Sequence, residues 1–321
     1  MNTTTSSASA PPGAAPGVIA PNSIQAWLLA CRPPSLFVAV SPVLLGAALV
    51  FERTGQINLG FALLALGCSV LIQIISNLQN DVGYTLRGAE RHGRKGMPRA
   101  TSLGLLTVAQ VRRAIVLLVG LTVLLGLPLV EARGWPALVI GVASITAALA
   151  YMGGPRPIAY TPLGETFVFL FFGLVAVVGT DYVLTGEAVP HSTWLAAVAL
   201  GALSAAALNV NNYRDVAHDA EVGRRTFAVA YGAPTARLFY AAGLVLPFVL
   251  LLPIAWLGRA PLLLAPLVLV PLAARLWREF AHCPGGAAYT GVLVRTFVLE
   301  LQFAALLAAA AVASRGLTWL A

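Results

Sequence analysis

Two oxygen-rich clusters hold the residues of this chain best suited to chemistry. The first runs Asn77, Leu78, Gln79, Asn80, Asp81, Val82, Gly83, Tyr84. Asn77 and Asp81 are four apart, as are Asn80 and Tyr84, and that spacing sets all four side chains on one face of a helix end. Such a face points oxygen ligands into a cavity. The second cluster, Asn211 to Asp215 followed by His218, Asp219 and Glu221, repeats the device, with Asn211, Asp215 and Asp219 at intervals of four. Paired faces of this kind suit Mg2+, which prefers a few carboxylates completed by phosphate oxygens and water. Basic residues follow each cluster: Arg87, Arg94, Lys95 and Arg99 after the first, Arg224 and Arg225 after the second. The guanidinium fork matches the paired oxygens of a phosphate. Together these read as a Mg2+-diphosphate site. Its candidate metal ligands are Asn77, Asn80, Asp81, Asn211, Asp215 and Asp219, with Asp81, Asp215 and Asp219 as the catalytic acids.

Between the clusters lies a turn-rich segment from Tyr151 to Glu165, with Gly153, Gly154, Pro155, Arg156, Pro157, Tyr160 and Pro162. Its glycines and prolines make a rigid turn able to hold Tyr151, Arg156 and Tyr160 over a substrate, and a plain connecting turn fits the same composition.

The elements that position these groups must cross a membrane. Of 321 residues, 59% are hydrophobic and 10% charged, and the mean hydropathy is +0.84. That combination excludes a soluble enzyme, a disordered chain and a DNA-binding domain. Residues 1–22 are mostly Thr, Ser, Ala, Pro and Gly, with no charged side chain and no apolar stretch long enough for the core of a signal peptide. They read as a disordered tail without an export signal, ahead of a single transmembrane domain over 23–321. Apolar runs then fall at 34–51, 57–79, 111–130, 135–152, 163–183, 192–210, 235–257, 260–280 and 292–313. These predict nine helical spans, since an open strand edge has no partner in lipid. Pro128, Pro247, Pro253 and Pro271 are the expected kinks. With nine spans, 16 of the 20 Lys and Arg lie on the side of the amino terminus and four, Arg53, Arg133, Arg259 and Arg315, lie opposite. The asymmetry predicts a cytoplasmic amino terminus, an outward carboxyl terminus, and all three motif loops (80–110, 153–162 and 211–234) in the cytoplasm. The +8 net charge is thus a topology signal and predicts no nucleic-acid partner.

These residues resemble the UbiA superfamily of membrane aromatic prenyltransferases, and within it the 1,4-dihydroxy-2-naphthoate polyprenyltransferases of menaquinone synthesis. The likeness runs from Arg32-Pro33 to about residue 300. Its main stretches are Asn77 to Arg99, Tyr151 to Pro157 with Leu163 to Thr180, and Asn211 to Val229. The resemblance implies an all-α bundle of nine transmembrane helices around a central cavity in the bacterial inner membrane. It also implies Mg2+ dependence and transfer of a polyprenyl group from its diphosphate to an aromatic acceptor, which loses CO2 and yields demethylmenaquinone. Carried over by position, Asn77, Asn80 and Asp81 match the first acid-rich motif and Asp215 and Asp219 the second. Arg94 and Arg99 match the basic residues after the first, and Arg224 stands where lysine is frequent; Arg94, Arg99 and Arg224 are therefore the expected diphosphate clamp, with Arg156, Tyr160 and Tyr151 orienting the acceptor. Tyr84 departs from the pattern by standing where an aspartate is usual, as does Glu90, and Glu165 replaces a frequent aspartate.

Two other readings remain at this point. One is the same reaction on 4-hydroxybenzoate or homogentisate. The other is a transporter, for which Glu300, an acid within the last span, is the residue to cite. Cys31, Cys68 and Cys283 are scattered and predict no disulfide or zinc site. His92 and His218 read as solvated loop histidines, and His191 as an outer-side residue. Trp135, Trp194 and Trp319 are expected at the outer interface.

Overall fold

A computed structural model of the chain describes residues 19–89, 96, 98–286 and 288–318, the side chains of 317 and 318 excepted. Among these residues the fold is all-helical, with nine helices long and apolar enough to span a bilayer. They are Pro33–Thr54, Leu59–Leu86, Val108–Arg133, Trp135–Met152, Gly164–Thr185, His191–Arg214, Phe227–Gly258, Pro261–Ala281 and Ala288–Gly316. Each coincides with a predicted run and most extend it by a few polar residues, because capping residues lie outside the apolar stretch. Thr107 shows this at the start of the third span: its hydroxyl accepts from Gln110 N, and the Gln110 side chain returns to Thr107 N, a reciprocal cap. A short helix, Ile24–Cys31, precedes the first span, and Asn22 N–H donates to Leu105 O at 2.8 Å.

The sixth span is the axis of the bundle. Seventy-eight per cent of its apolar window is buried, against 6% for the second span, whose half-buried middle lines a cavity. Its sequence explains this. Ala196, Ala197, Ala199, Ala202, Ala205, Ala206 and Ala207 with Gly201 keep its girth small, so the fifth, seventh and ninth spans pack against it closely. At Gly173 a Cβ would lie 2.6 Å from Ala197 O and from Gly201 Cα, so that crossing tolerates glycine and little else.

Three backbone departures were not predicted. The fifth span runs as a π-helix from Phe169 to Val178, and the eighth opens as a 3-10 turn over Pro261–Leu269. The seventh breaks at Gly232 (φ 79°, ψ 168°), two residues before Pro234. That break is at none of the four expected positions, and Pro128 lies within helical backbone in the third span. Pro247 and Pro253 lie within helical backbone, and Pro271 sits in the first turn of Val270–Ala281, where a missing N–H costs nothing.

Beside the axis, the first five spans enclose an apolar cavity of about 270 Å³. Tyr151 lines one end of it and Val183 the other, and the π-helical face of Phe171, Phe172 and Val175 forms a wall.

Candidate active site

The three motif loops meet at the Tyr151 end of this cavity, and Arg224 is where they join. Its Nη1 donates to Asp219 Oδ1 at 2.6 Å and to the Tyr84 hydroxyl, and its Nε donates to Ala159 O at 3.2 Å. One buried guanidinium thus bonds to the first cluster, the middle loop and the second cluster. Arg225 N–H adds a second tie, to Tyr160 O at 3.2 Å. Arg99 stacks over the Tyr84 ring at 4.3 Å, Arg224 lies 5.2 Å from the same ring, and Arg87 lies 5.6 Å from the ring of Tyr160. Aromatic faces attract cations in this way. The result is a mouth of stacked arginine and tyrosine.

Electrostatics follow from the packing. Burial works against the Arg224 charge, yet Tyr84, Asp219, Tyr151 and Tyr160 outweigh it, and the guanidinium is held more firmly protonated than usual. Burial pushes the Asp219 carboxyl above the ordinary range, and Arg224 offsets part of that rise. The Tyr160 hydroxyl is also pushed up by burial.

The first cluster keeps its common face, but its members have different partners. Asn77 is buried and its amide donates to Cys31 O and Ser35 Oγ, each at 2.8 Å, fastening the second span to the start of the first. Asn80 is half-buried. Asp81 is fully buried and accepts from Ala100 N at 3.0 Å, Thr101 N at 2.8 Å and the Thr101 hydroxyl. These bonds anchor the segment that carries Arg99. Asp81→Ala leaves two buried N–H groups without acceptors, at a cost of roughly 1–3 kcal/mol each. Faster hydrogen exchange across 99–106, with the spans still protected, is the expected result.

In the second cluster Arg214, not singled out from sequence, holds the acids. Its Nε and Nη2 donate to Asp215 Oδ1 and Oδ2 at 3.0 and 2.8 Å, Nη2 also to Asn211 Oδ1 at 2.8 Å, and Nη1 to Thr290 Oγ1 at 3.2 Å. Asn212 Nδ2 donates to Glu165 Oε1 at 2.9 Å. His218 is a correction: it is buried, 6% exposed, with its Nδ1 3.8 Å from Asp219 Oδ1. The short helix Val216–Glu221 turns it inward, which loop composition does not reveal. Tyr151 and Tyr160 stand at the mouth as expected, while Arg156 is exposed at the tip of its loop. Arg94, along with Glu90, His92, Lys95 and Met97, lies outside the described residues.

Several polar atoms at this mouth are buried without a hydrogen-bond partner: Arg99 Nε and Nη1, Asp219 Oδ2, Asn212 Oδ1, Glu165 Oε2 and both ring nitrogens of His218. Buried polar groups are normally paired. So many in one mouth mark a place for a polar ligand. Among the described residues no three of His, Cys, Asp and Glu form a metal-binding group. Glu300 lies apart, in the ninth span, where Oε1 accepts from Ser204 at 2.9 Å; it does not line the cavity.

A polytopic helical bundle with arginines, tyrosines and acids gathered at one end of an apolar cavity is the architecture of an integral membrane protein. The UbiA prenyltransferase family matches residues 39–289, and the chain belongs to that family. The 1,4-dihydroxy-2-naphthoate octaprenyltransferase of Escherichia coli (strain K12) is 37% identical over 223 residues, 68% of this chain and 72% of the relative. The protein of the same name from Mycobacterium tuberculosis is 33% identical over 295 residues, 90% and 97% of the two chains. A solved UbiA homolog from Archaeoglobus fulgidus, bound to GPP and Mg2+, superposes with a TM-score of 0.64 at 16% identity over 90% of this chain and 99% of its own. At that identity the likeness is one of fold.

Proposed function

We propose that this membrane prenyltransferase moves a polyprenyl group from its diphosphate to 1,4-dihydroxy-2-naphthoate, releasing diphosphate and CO2. The observation that carries the reading is the Arg224 junction at the Tyr151 end of an apolar cavity, with buried donors and acceptors that lack partners gathered around it. The two relatives named as naphthoate octaprenyltransferases support the acceptor.

The donor set fits Mg2+ in part. Asp219 Oδ2, Asn212 Oδ1 and Glu165 Oε2 are buried oxygens without partners, the kind of ligand the ion completes with phosphate and water. These three are the residues that would hold it, while Asp81, Asn211 and Asp215 are engaged by the 98–104 loop and by Arg214. Held there, Mg2+ would supply positive charge to the diphosphate oxygens, which would favour departure of diphosphate with the electron pair of the allylic carbon–oxygen bond.

The protein's own groups do the rest. Arg99, through Nε and Nη1, and Arg224 bind and orient the diphosphate and stabilise the charge that gathers on it. Apolar walls hold the tail and keep water from the allyl cation. Tyr151 and Tyr160 at the mouth orient the acceptor, whose ring carbon attacks the prenyl carbon; the carboxyl then leaves as CO2 and returns its electron pair to the ring. Tyr84, where the family pattern has an aspartate, serves as a hydrogen-bond partner and stacking surface for the two arginines. The charge asymmetry of the loops supports a cytoplasmic mouth. The test is a panel of dihydroxynaphthoate, 4-hydroxybenzoate and homogentisate with one prenyl diphosphate: dihydroxynaphthoate should win by at least tenfold in kcat/KM, and preference for another acceptor would move the assignment there.

A further inference from the structure

We propose that the end of a long prenyl tail leaves the cavity between Ile140 and Gly179 and lies in an outer groove, so that these two residues select for tail length; this rests on the prenyl diphosphate reading above. On the fourth span the cavity lining runs from Tyr151 to Ala137, fifteen residues, or about 21 Å of helix. A tail longer than that depth has to go elsewhere. A second cavity, of about 460 Å³, lies beside the outer end of the first, their linings overlapping along the fourth and fifth spans. Trp135, Val139, Val178, Tyr182, Val189 and Trp194 line it, between the fourth, fifth and sixth spans on the side away from the mouth.

The two cavities share Ile140 and Gly179. A Cβ on Gly179 would lie 3.5 Å from Ile140 Cγ2, an ordinary contact, so the partition is one isoleucine side chain laid against bare backbone. Gly179 is also where the π-helix Phe169–Val178 returns to α-helix, and π segments recur at functional sites. The groove's frame is fixed. Arg53 pairs with Asp181 at 2.8 Å, Thr193 donates to Asp181 at 2.9 Å, and Arg133 donates to Val183 O and Leu184 O, each at 2.8 Å. The groove is itself open at the surface, with Trp135 75% and Val139 54% exposed; the competing exit is through a different lipid face, past Leu127 and Val142, which line the cavity and are 53% and 56% exposed.

The deciding experiment measures binding of short-tailed and long-tailed prenyl thiolodiphosphates, which resist cleavage, to the purified protein with Mg2+. Gly179→Leu and Ile140→Trp should each weaken the long analogue about tenfold relative to the short one, the value of roughly two buried methylenes. Ile140→Ala should hold or improve it, and Leu127→Trp should leave the ratio unchanged. An unchanged ratio in both plugging variants, or a loss in Leu127→Trp, overturns the proposal and puts the exit in the lipid face. Wild-type protein that binds both analogues yet transfers no prenyl group from the corresponding cleavable diphosphates to any aromatic acceptor removes the transfer reading while the length test still decides the tail path; protein that binds neither analogue overturns both.

Discussion

Asp219→Ala should cut the rate of prenyl transfer by about 10²–10³-fold while leaving the bundle folded. The scale is that of removing one preorganised electrostatic group from a site of this kind. Asp219 has two jobs at once. Oδ1 pairs with Arg224 at 2.6 Å, and Oδ2 is buried with no partner at the junction that we assign to Mg2+ and diphosphate. Its loss therefore removes a ligand and frees Arg224 from the position in which it meets the leaving group. Asp219→Asn separates these effects. It can still accept from Arg224, so the fold should persist, while the Mg2+ concentration for half-maximal rate rises. Wild-type rates in both variants, at an unshifted Mg2+ midpoint, would remove Asp219 from the mechanism.

The second large effect is on stability. Arg224→Met leaves Asp219 buried beside no cation, which by comparison with other broken buried pairs costs roughly 3–5 kcal/mol. It also removes the bonds to Tyr84 and Ala159 that draw three loops together. Thermal unfolding in detergent should fall accordingly. Adding Asp219→Asn should restore part of the stability, because the uncompensated charge goes, and none of the activity. Non-additivity of that kind marks a direct pair. Arg224→Lys tests the fork itself: a lysine keeps the charge but presents a compact ammonium, so loop closure should weaken more than charge compensation does. Equal stability of the wild type and Arg224→Met would show that the junction contributes nothing to the fold.

How much of this was legible in sequence depends on whether the information is local. All nine spans were, because a run of about 20 apolar residues is a sufficient signal for crossing lipid. Tyr151, Tyr160 and Asp219 were also chosen from sequence, since acids and tyrosines in polar loops stand out against an apolar background, and Arg99 and Arg224 by their match to the family pattern. What the residues do to each other was not. Tyr84 and Arg224 are 140 residues apart, and nothing in the local pattern joins them. The family pattern makes Tyr84 a missing carboxylate, whereas in the fold it is the surface on which two arginines rest. Likewise Asp81 has the spacing of a ligand, yet the loop carrying Ala100 and Thr101 folds back onto it. Arg214 looked like topology charge until the sixth span ended with Asn211 and Asp215 within its reach. The π-helix of the fifth span and the break at Gly232 were invisible for a different reason. An apolar run suits α, π and 3-10 backbone alike, and the choice is made by packing against the sixth span, as the Gly173–Gly201 contact shows.

The most direct test of the central claim is the mass of the product formed by membranes containing this protein, given a polyprenyl diphosphate and 1,4-dihydroxy-2-naphthoate. A single mass reports acceptor, prenyl length and loss of the carboxyl group together. The account predicts a prenylated naphthoquinol lacking the carboxyl, formed with Mg2+ and absent when the ion is chelated. Recovery of unreacted naphthoate with the prenyl diphosphate intact, in Mg2+ and with the protein shown to be folded, would contradict it.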